Sequence, residues 1–209
     1  MTRRAKSTTL CIATIILIVI IDQLIKFEVK TNMFLRESIY VADWFQIFFI
    51  ENDGIAWGLQ IMPQLFLTLF RLIAVGLIGY MIHQSVKHEA KTGFLICLSL
   101  IFAGAAGNII DNVFYGAIYT ESTPFTKATL TAVGQGYGGW MHGKVVDMFY
   151  FPIIDTYWPE WMPFVGGEHF IFFSPVFNFA DASISCGVIA LLLFYGKYLN
   201  RLLNGKKGD

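Results

Sequence analysis

Four runs of mostly apolar residues, at about 10–27, 64–82, 94–115 and 176–195, set the first limit on this chain. Each approaches the roughly 20 residues that a helix needs to cross a hydrocarbon layer. Inside such a layer every backbone N–H and C=O must be satisfied within the chain, so the runs read as helices. The chain is 56% hydrophobic and only 14% charged, too little charge to solvate a water-soluble domain of 209 residues. Fifteen basic and fifteen acidic residues cancel, so no electrostatic footprint for nucleic acid exists. Cys11, Cys97 and Cys186 all fall inside apolar runs and read as small buried hydrophobes, without disulfide or metal-ligand spacing.

Basic residues fix an orientation. Arg3, Arg4 and Lys6 precede the first run; Lys87 and Lys91 lie between the second and third; Lys197, Arg201, Lys206 and Lys207 follow the fourth. Placing all three groups in the cytoplasm obeys the positive-inside rule. Both termini are then cytoplasmic, and residues 28–63 and 116–175 lie outside. The first run has the basic start of an export signal, but no small-residue cleavage site closes it, and Thr8-Thr9-Leu10 before Cys11 lacks the small residue of a lipidation signal. It is predicted to be retained as a span. The chain reads as one integral membrane domain over 1–209.

The outer regions have their own patterns. Residues 40–50 are rich in aromatic and β-branched side chains and read as strand, followed by a turn signal at Asn52-Asp53-Gly54. Five glycines between 134 and 143 flank Tyr137 and Trp140, and Tyr157, Trp158 and Trp161 follow among prolines. Such rings settle at a membrane–water boundary. The expected fold is membrane all-α: a four-helix bundle with a small extracytoplasmic β-sheet and an irregular aromatic loop or helix on the outer leaflet.

Polar residues gather at that face. Asp22 lies 12 residues after Leu10, about 18 Å along an outward helix and past the midplane. Lys26 follows four residues later on the same face. Asn108 and Asp111, three apart, end the third run, beyond the small residues Gly104 to Gly107 that admit a close neighbour. Ser174-Pro175 reads as the cap and first residue of the fourth helix, which carries Asn178 and Asp181 in its first turns. Asp147 sits outside, and Arg71 is the one charge of the second run. An ionisable group in a bilayer marks a functional site by default. Plainer roles compete: Asp181 capping its helix, Asp22 and Lys26 as a structural pair, Asp147 as a loop acid. His83, His88, His142 and His169 read as surface residues, and Asp43, Asp53, Asp155, Glu160 and Glu168 as solvated loop charges.

Five motifs in order, Asp22-Gln23-Leu24-Ile25-Lys26, Asn52 with Gly54, Gly107-Asn108-Ile109-Ile110-Asp111, Val145-Val146-Asp147, and Phe177-Asn178-Phe179-Ala180-Asp181, resemble those of the lipoprotein signal peptidases (signal peptidase II). The resemblance covers about residues 10–195. It implies a membrane aspartyl endopeptidase of the bacterial inner membrane that removes the signal peptide of prolipoproteins, cutting before the diacylglyceryl-modified cysteine. It implies Asp147 and Asp181 as the catalytic pair, with Asp22, Lys26, Asn52, Gly54, Asn108, Asp111 and Asn178 shaping the site, and no metal or organic cofactor. The implied partners are lipidated substrate and membrane lipid, and a bundle enclosing its own polar cluster suits a monomer.

Two departures from the family pattern stand out. Asn112 replaces the arginine usual after the third-motif aspartate, so that arginine's contact is lost or supplied elsewhere. The catalytic candidates are 34 apart (181 − 147), and both 117–143 and the aromatic stretch 150–173 are expanded. A transporter or proton relay would bury acids too, but with inverted repeats and midplane sites; no repeat is present here. A non-catalytic scaffold that pairs its carboxyls with partner subunits is the other competing reading.

Overall fold

The computed structural model describes residues 2–53 and 64–203, apart from the side chains of 64 and 201–203. The expected site residue Gly54, the end of the Asn52-Asp53-Gly54 turn and the basic Lys206 and Lys207 lie outside the described residues.

Helix α1 (Arg3–Asn32) is longer at both ends than its apolar run, and Thr2 caps it by accepting from Ala5 N–H at 3.3 Å. Strands β1 (Ser38–Ala42) and β2 (Phe45–Asn52) form a hairpin. Helix α2 (Gln64–Lys87) and helix α3 (Thr92–Ile110) follow. Helix α3 continues through a π-helical segment, Asp111–Tyr115, into one closing turn, α4 (Gly116–Ile118). Strands β3 (Val145–Tyr150), β4 (Ile154–Tyr157), β5 (His169–Phe172) and β6 (Val176–Phe177) precede the last helix, α5 (Phe179–Leu203).

Helices α1, α2, α3 with its extension, and α5 are each long and apolar enough to cross a membrane. Their outward faces remain apolar, as Ile16, Phe70, Ile73 and Leu193 show by being exposed. A helix apolar all round is suited to lipid. Helix α3 is the packing centre, lying against α1, α2 and α5. Small residues make this possible: a Cβ on Gly107 would lie 2.6 Å from Asp22 Oδ2, so only glycine lets α3 approach so closely.

Two apolar clusters divide the molecule. One, around Cys11, Phe94, Leu95 and Leu191, closes the bundle end where Arg3 and Arg4 meet Glu89. The other, around Val29, Phe49, Tyr115, Val146 and Met148, joins the opposite end of the bundle to the sheet. That sheet is antiparallel in the order β1-β2-β3-β6, and β4 and β5 form a separate hairpin.

Two expectations need correction. The fourth helix begins at Phe179, not near 176, and Ser174-Pro175 does not cap it. Val176 and Phe177 are strand, paired with Tyr150 and Phe149; a short apolar run reads as either state until its partner is known. The segment 150–173, expected as irregular, carries the regular β4–β5 pairing from Ile154↔Phe172 to Tyr157↔His169. On that hairpin His169 Nε2 and Asp155 Oδ1, both read as lone surface groups, stand 2.5 Å apart.

The glycine-rich stretch has a specific task. The end of a helix leaves carbonyls without partners. Gly143 N–H donates to Asn112 O, Met141 N–H to Val113 O, Gly138 and Gly139 N–H to Gly116 O, and Gly134 and Gly136 N–H to Ala117 O, at 2.9–3.2 Å. A Cβ on Gly143 would collide with the Asp111 carbonyl, so the loop wraps the π-helical end only because it lacks side chains there.

Candidate active site

The site is built around Lys26. On α1, Asp22, Lys26 and Lys30 recur every four residues and share one face. Lys26 is fully buried, and its ammonium donates to Asp22 Oδ2 at 3.0 Å, Asp111 Oδ2 at 2.8 Å and Asn108 Oδ1 at 2.8 Å. Three acceptors use all three of its protons. A buried charge is tolerated only with such partners. Asp22 and Lys26 are thus a structural pair that also reaches α3.

The π-helical segment explains how neighbours Asp111 and Asn112 are both buried. A π-turn shifts the helical register and occurs often at functional sites. Asp111 takes Gln23 Nε2–H at 2.9 Å and Val146 N–H at 3.2 Å, so α3 is tied to both α1 and β3. Asp22 takes Ala180 N–H at 2.9 Å, satisfying a donor that the start of α5 would otherwise strand.

Asn178 joins the two remaining acids. It caps α5: its Oδ1 accepts Asp181 N–H at 2.9 Å, while Asp181 Oδ2 accepts Asn178 N–H at 3.4 Å. This reciprocal arrangement is a capping box. The same Asn178 donates from Nδ2 to Asp147 Oδ1 at 2.7 Å and to Asn108 Oδ1 at 3.1 Å. Asn108 in turn donates to Asp181 Oδ1 at 2.8 Å. Asn52, at the end of β2, donates to Asp147 Oδ2 at 3.2 Å. Asp147 is not a loop acid: it lies in β3, opposite Ile50 of β2.

Among the described residues, the expected set Asp22, Lys26, Asn52, Asn108, Asp111, Asp147, Asn178 and Asp181 therefore forms one hydrogen-bonded network. Asp181 caps its helix and also faces the second acid. Burial, and after it the negative charge of Asp181, pushes the Asp147 carboxyl up to about 7, against the opposing pull of the Asn52 and Asn178 amides and of Lys26. A carboxyl that keeps its proton near neutrality beside another acid is an arrangement suited to acid–base chemistry.

Three contributors escape a reading of the sequence. Gln23 links Asp22, Asp111 and Tyr115; it stands inside the first motif but carries no charge. Arg71 of α2 donates to Asn112 Oδ1, so a guanidinium does reach the position where the family has an arginine, from another helix. Lys30, the next residue on the Asp22–Lys26 face, pairs with the buried Glu51 beside Ser122. Its four-residue spacing was the available signal.

Residues 14–196 match the family model described as Signal peptidase (SPase) II. The chain belongs to the signal peptidase II family. The lipoprotein signal peptidase of Porphyromonas gingivalis (strain ATCC 33277) is 52% identical over 196 residues, spanning 93% of this chain and 86% of that one. The lipoprotein signal peptidase of Amoebophilus asiaticus (strain 5a2) is 34% identical over 185 residues, 85% of this chain and 74% of that one. A solved structure described as a bacterial membrane enzyme obtained by the in meso method at 2.3 Å resolution superposes with a TM-score of 0.58 at 24% identity, covering 95% of this chain and 93% of the other. That likeness establishes the fold. Membership of the signal peptidase II family makes the protein a protease, and with its four apolar helices a multi-pass membrane protein.

Proposed function

We propose that this chain removes the signal peptide of prolipoproteins, cutting before the diacylglyceryl-modified cysteine, with Asp147 and Asp181 as its catalytic pair. The observation that carries the reading is Asn178, whose side chain binds Asp147 while its backbone and side chain bind Asp181. One residue thereby holds the two acids in a common site.

The raised Asp147 carboxyl is the proton holder, which leaves Asp181 as the base. Asp181 takes a proton from water, and the water oxygen attacks the scissile carbonyl carbon. Asp147 gives its proton to the carbonyl oxygen as that oxygen gains charge. On collapse the C–N bond breaks, Asp181 passes its proton to the leaving amine, and Asp147 recovers its own. Lys26, Asp22 and Asp111 do not touch the reacting atoms; they fix Asn108 and the start of α5, and so the direction of both carboxyls. Asn52 and Asn178 supply the neutral donors that keep Asp147 oriented in either protonation state.

The whole chain forms a single integral domain of the bacterial inner membrane, with the sheet and the acids at the outer leaflet and both termini in the cytoplasm. Support comes from charge: Arg3, Arg4 and the α2–α3 link lie at the bundle end away from the acids, as the positive-inside rule requires. Lipid on the substrate accounts for a site at that depth, since the acyl chains stay in the leaflet while the peptide reaches the acids. One chain supplies the whole network, so the protein acts as a monomer.

The test uses purified wild-type protein in detergent and a synthetic prolipoprotein peptide with and without the lipid on its cysteine. Release of a product beginning with lipidated cysteine is the expected result. No release of that product from the lipidated peptide would overturn the reading.

A further inference from the structure

A groove of about 480 Å³ begins at Asp181 and runs along α5 past Ala182, Cys186 and Ile189. Its opposite wall is the base of the β4–β5 hairpin: Ile153, Phe172 and Phe173 among others. We infer that this groove receives one acyl chain of the lipid on the substrate cysteine, and that the expanded segment 150–173 sets which chains fit. The inference rests on the peptidase reading above.

Three observations select this occupant. Chemically, the lipid hangs from the residue that follows the scissile bond, so its chains must start beside the acids, and Asp181 stands at the mouth of this groove. In shape, the groove follows the α5 positions 181, 185 or 186, and 189, about 12 Å along the axis of a membrane helix. That is the direction in which an acyl chain lies in a leaflet. In polarity, the lining side chains beyond Asp181 are apolar except for Ser185, and the backbone N–H and C=O groups of an extended peptide need partners that such a wall does not offer. A single alkyl chain with one polar end meets all three conditions. A second groove of about 460 Å³ lies between α1 and the sheet, lined by Leu24, Met33 and Met148 among others. It holds neither acid, and it serves as the internal control.

The probe is a lipopeptide carrying a diacylglyceryl cysteine with a photoactivatable diazirine midway along one acyl chain. It is bound to the full-length Asp147→Asn protein in detergent, irradiated, and the attachment sites are mapped by mass spectrometry. Labels on Cys186, Ile189, Phe172 or Phe173 are expected. Labels confined to the Leu24–Met33 face, or scattered over the outer faces of α1 and α2, would overturn the assignment. Cys186→Trp, made with both acids intact, narrows the groove. It is expected to lower the ratio of kcat/KM for a palmitoyl over a butyryl lipopeptide by about tenfold, the cost of forcing a large group into a filled space; an unchanged ratio contradicts the inference. Wild-type protein assayed on the same probe separates the two readings. Cleavage with labels elsewhere defeats the groove alone, whereas no cleavage defeats the peptidase reading and the groove with it.

Discussion

Replacing Asp147 by Asn should make the protein more stable at alkaline pH while destroying its activity. Asp147 is 2% exposed, and its carboxyl holds its proton up to about 7 rather than the ordinary 3.8. In the unfolded chain the group ionises near 3.8. Between these values the folded state binds more protons, so stability falls as pH rises and the loss is complete above about 7. Three units correspond to about 4 kcal/mol. Asparagine is neutral in both states and escapes the loss. It replaces one acceptor with a donor facing the Asn52 amide, a mismatch that costs roughly 1 kcal/mol. The net gain is therefore about 3 kcal/mol at pH 8.5, or a rise in Tm of about 6–12 °C for a chain of this size. Thermal unfolding in detergent, followed by tryptophan emission at alkaline and at acid pH, gives the answer. Near pH 4 the ionisation loss is below about 1 kcal/mol, so the advantage should vanish and the variant be no more stable than wild type. A variant less stable than wild type at pH 8.5, or a gap that does not change with pH, would refute the reasoning about burial and shared charge.

Other outcomes follow from the same network. Lys26→Met leaves Asp22 and Asp111 facing each other without their common cation and should cost about 3–5 kcal/mol, seen as loss of folded protein in a detergent thermal-shift assay. Lys30→Met should also be destabilising, because it leaves the buried Glu51 with only the Ser122 hydroxyl and the more distant Lys144 ammonium at 3.8 Å. The double variant Lys30→Met, Glu51→Leu should recover most of that loss, since removing both charges of a buried pair is often close to neutral; no recovery would mean that the pair does more than balance charge. The cleavage rate should fall as pH rises through about 7, as Asp147 loses the proton that the carbonyl oxygen needs. A rate that rises across that window would exchange the roles of the two acids.

The bundle was legible in the sequence because crossing a hydrocarbon layer demands length and apolarity, and both are properties of a single segment. Helix ends were less so. Val176 and Phe177 look like the start of α5 until Phe149 and Tyr150, far away in the chain, claim them for the sheet. The same holds for Asp147, an unremarkable acid in its own neighbourhood, whose carboxyl is raised by burial and by the charge of Asp181, far away in the chain. Lys26 could be paired with Asp22 by helical spacing, whereas Asp111 and Asn108 joined them only through packing. The place of Arg71 was hidden because its partner Asn112 lies on another helix, buried by a π-turn that no local pattern announces. Glycines between 134 and 143 signalled irregular chain. Their function, closing the carbonyl end of α3 against a surface with no room for side chains, depended on what they met.

The central claim, that two carboxyls with one proton between them cut the substrate, is tested most directly by single replacement of each acid. Purified Asp147→Asn and Asp181→Asn proteins, both verified as folded by their thermal transitions, are given a lipidated prolipoprotein peptide, and product is quantified by mass spectrometry. The account predicts that neither variant releases the signal peptide at a measurable rate. Cleavage at the wild-type rate by either one would contradict it.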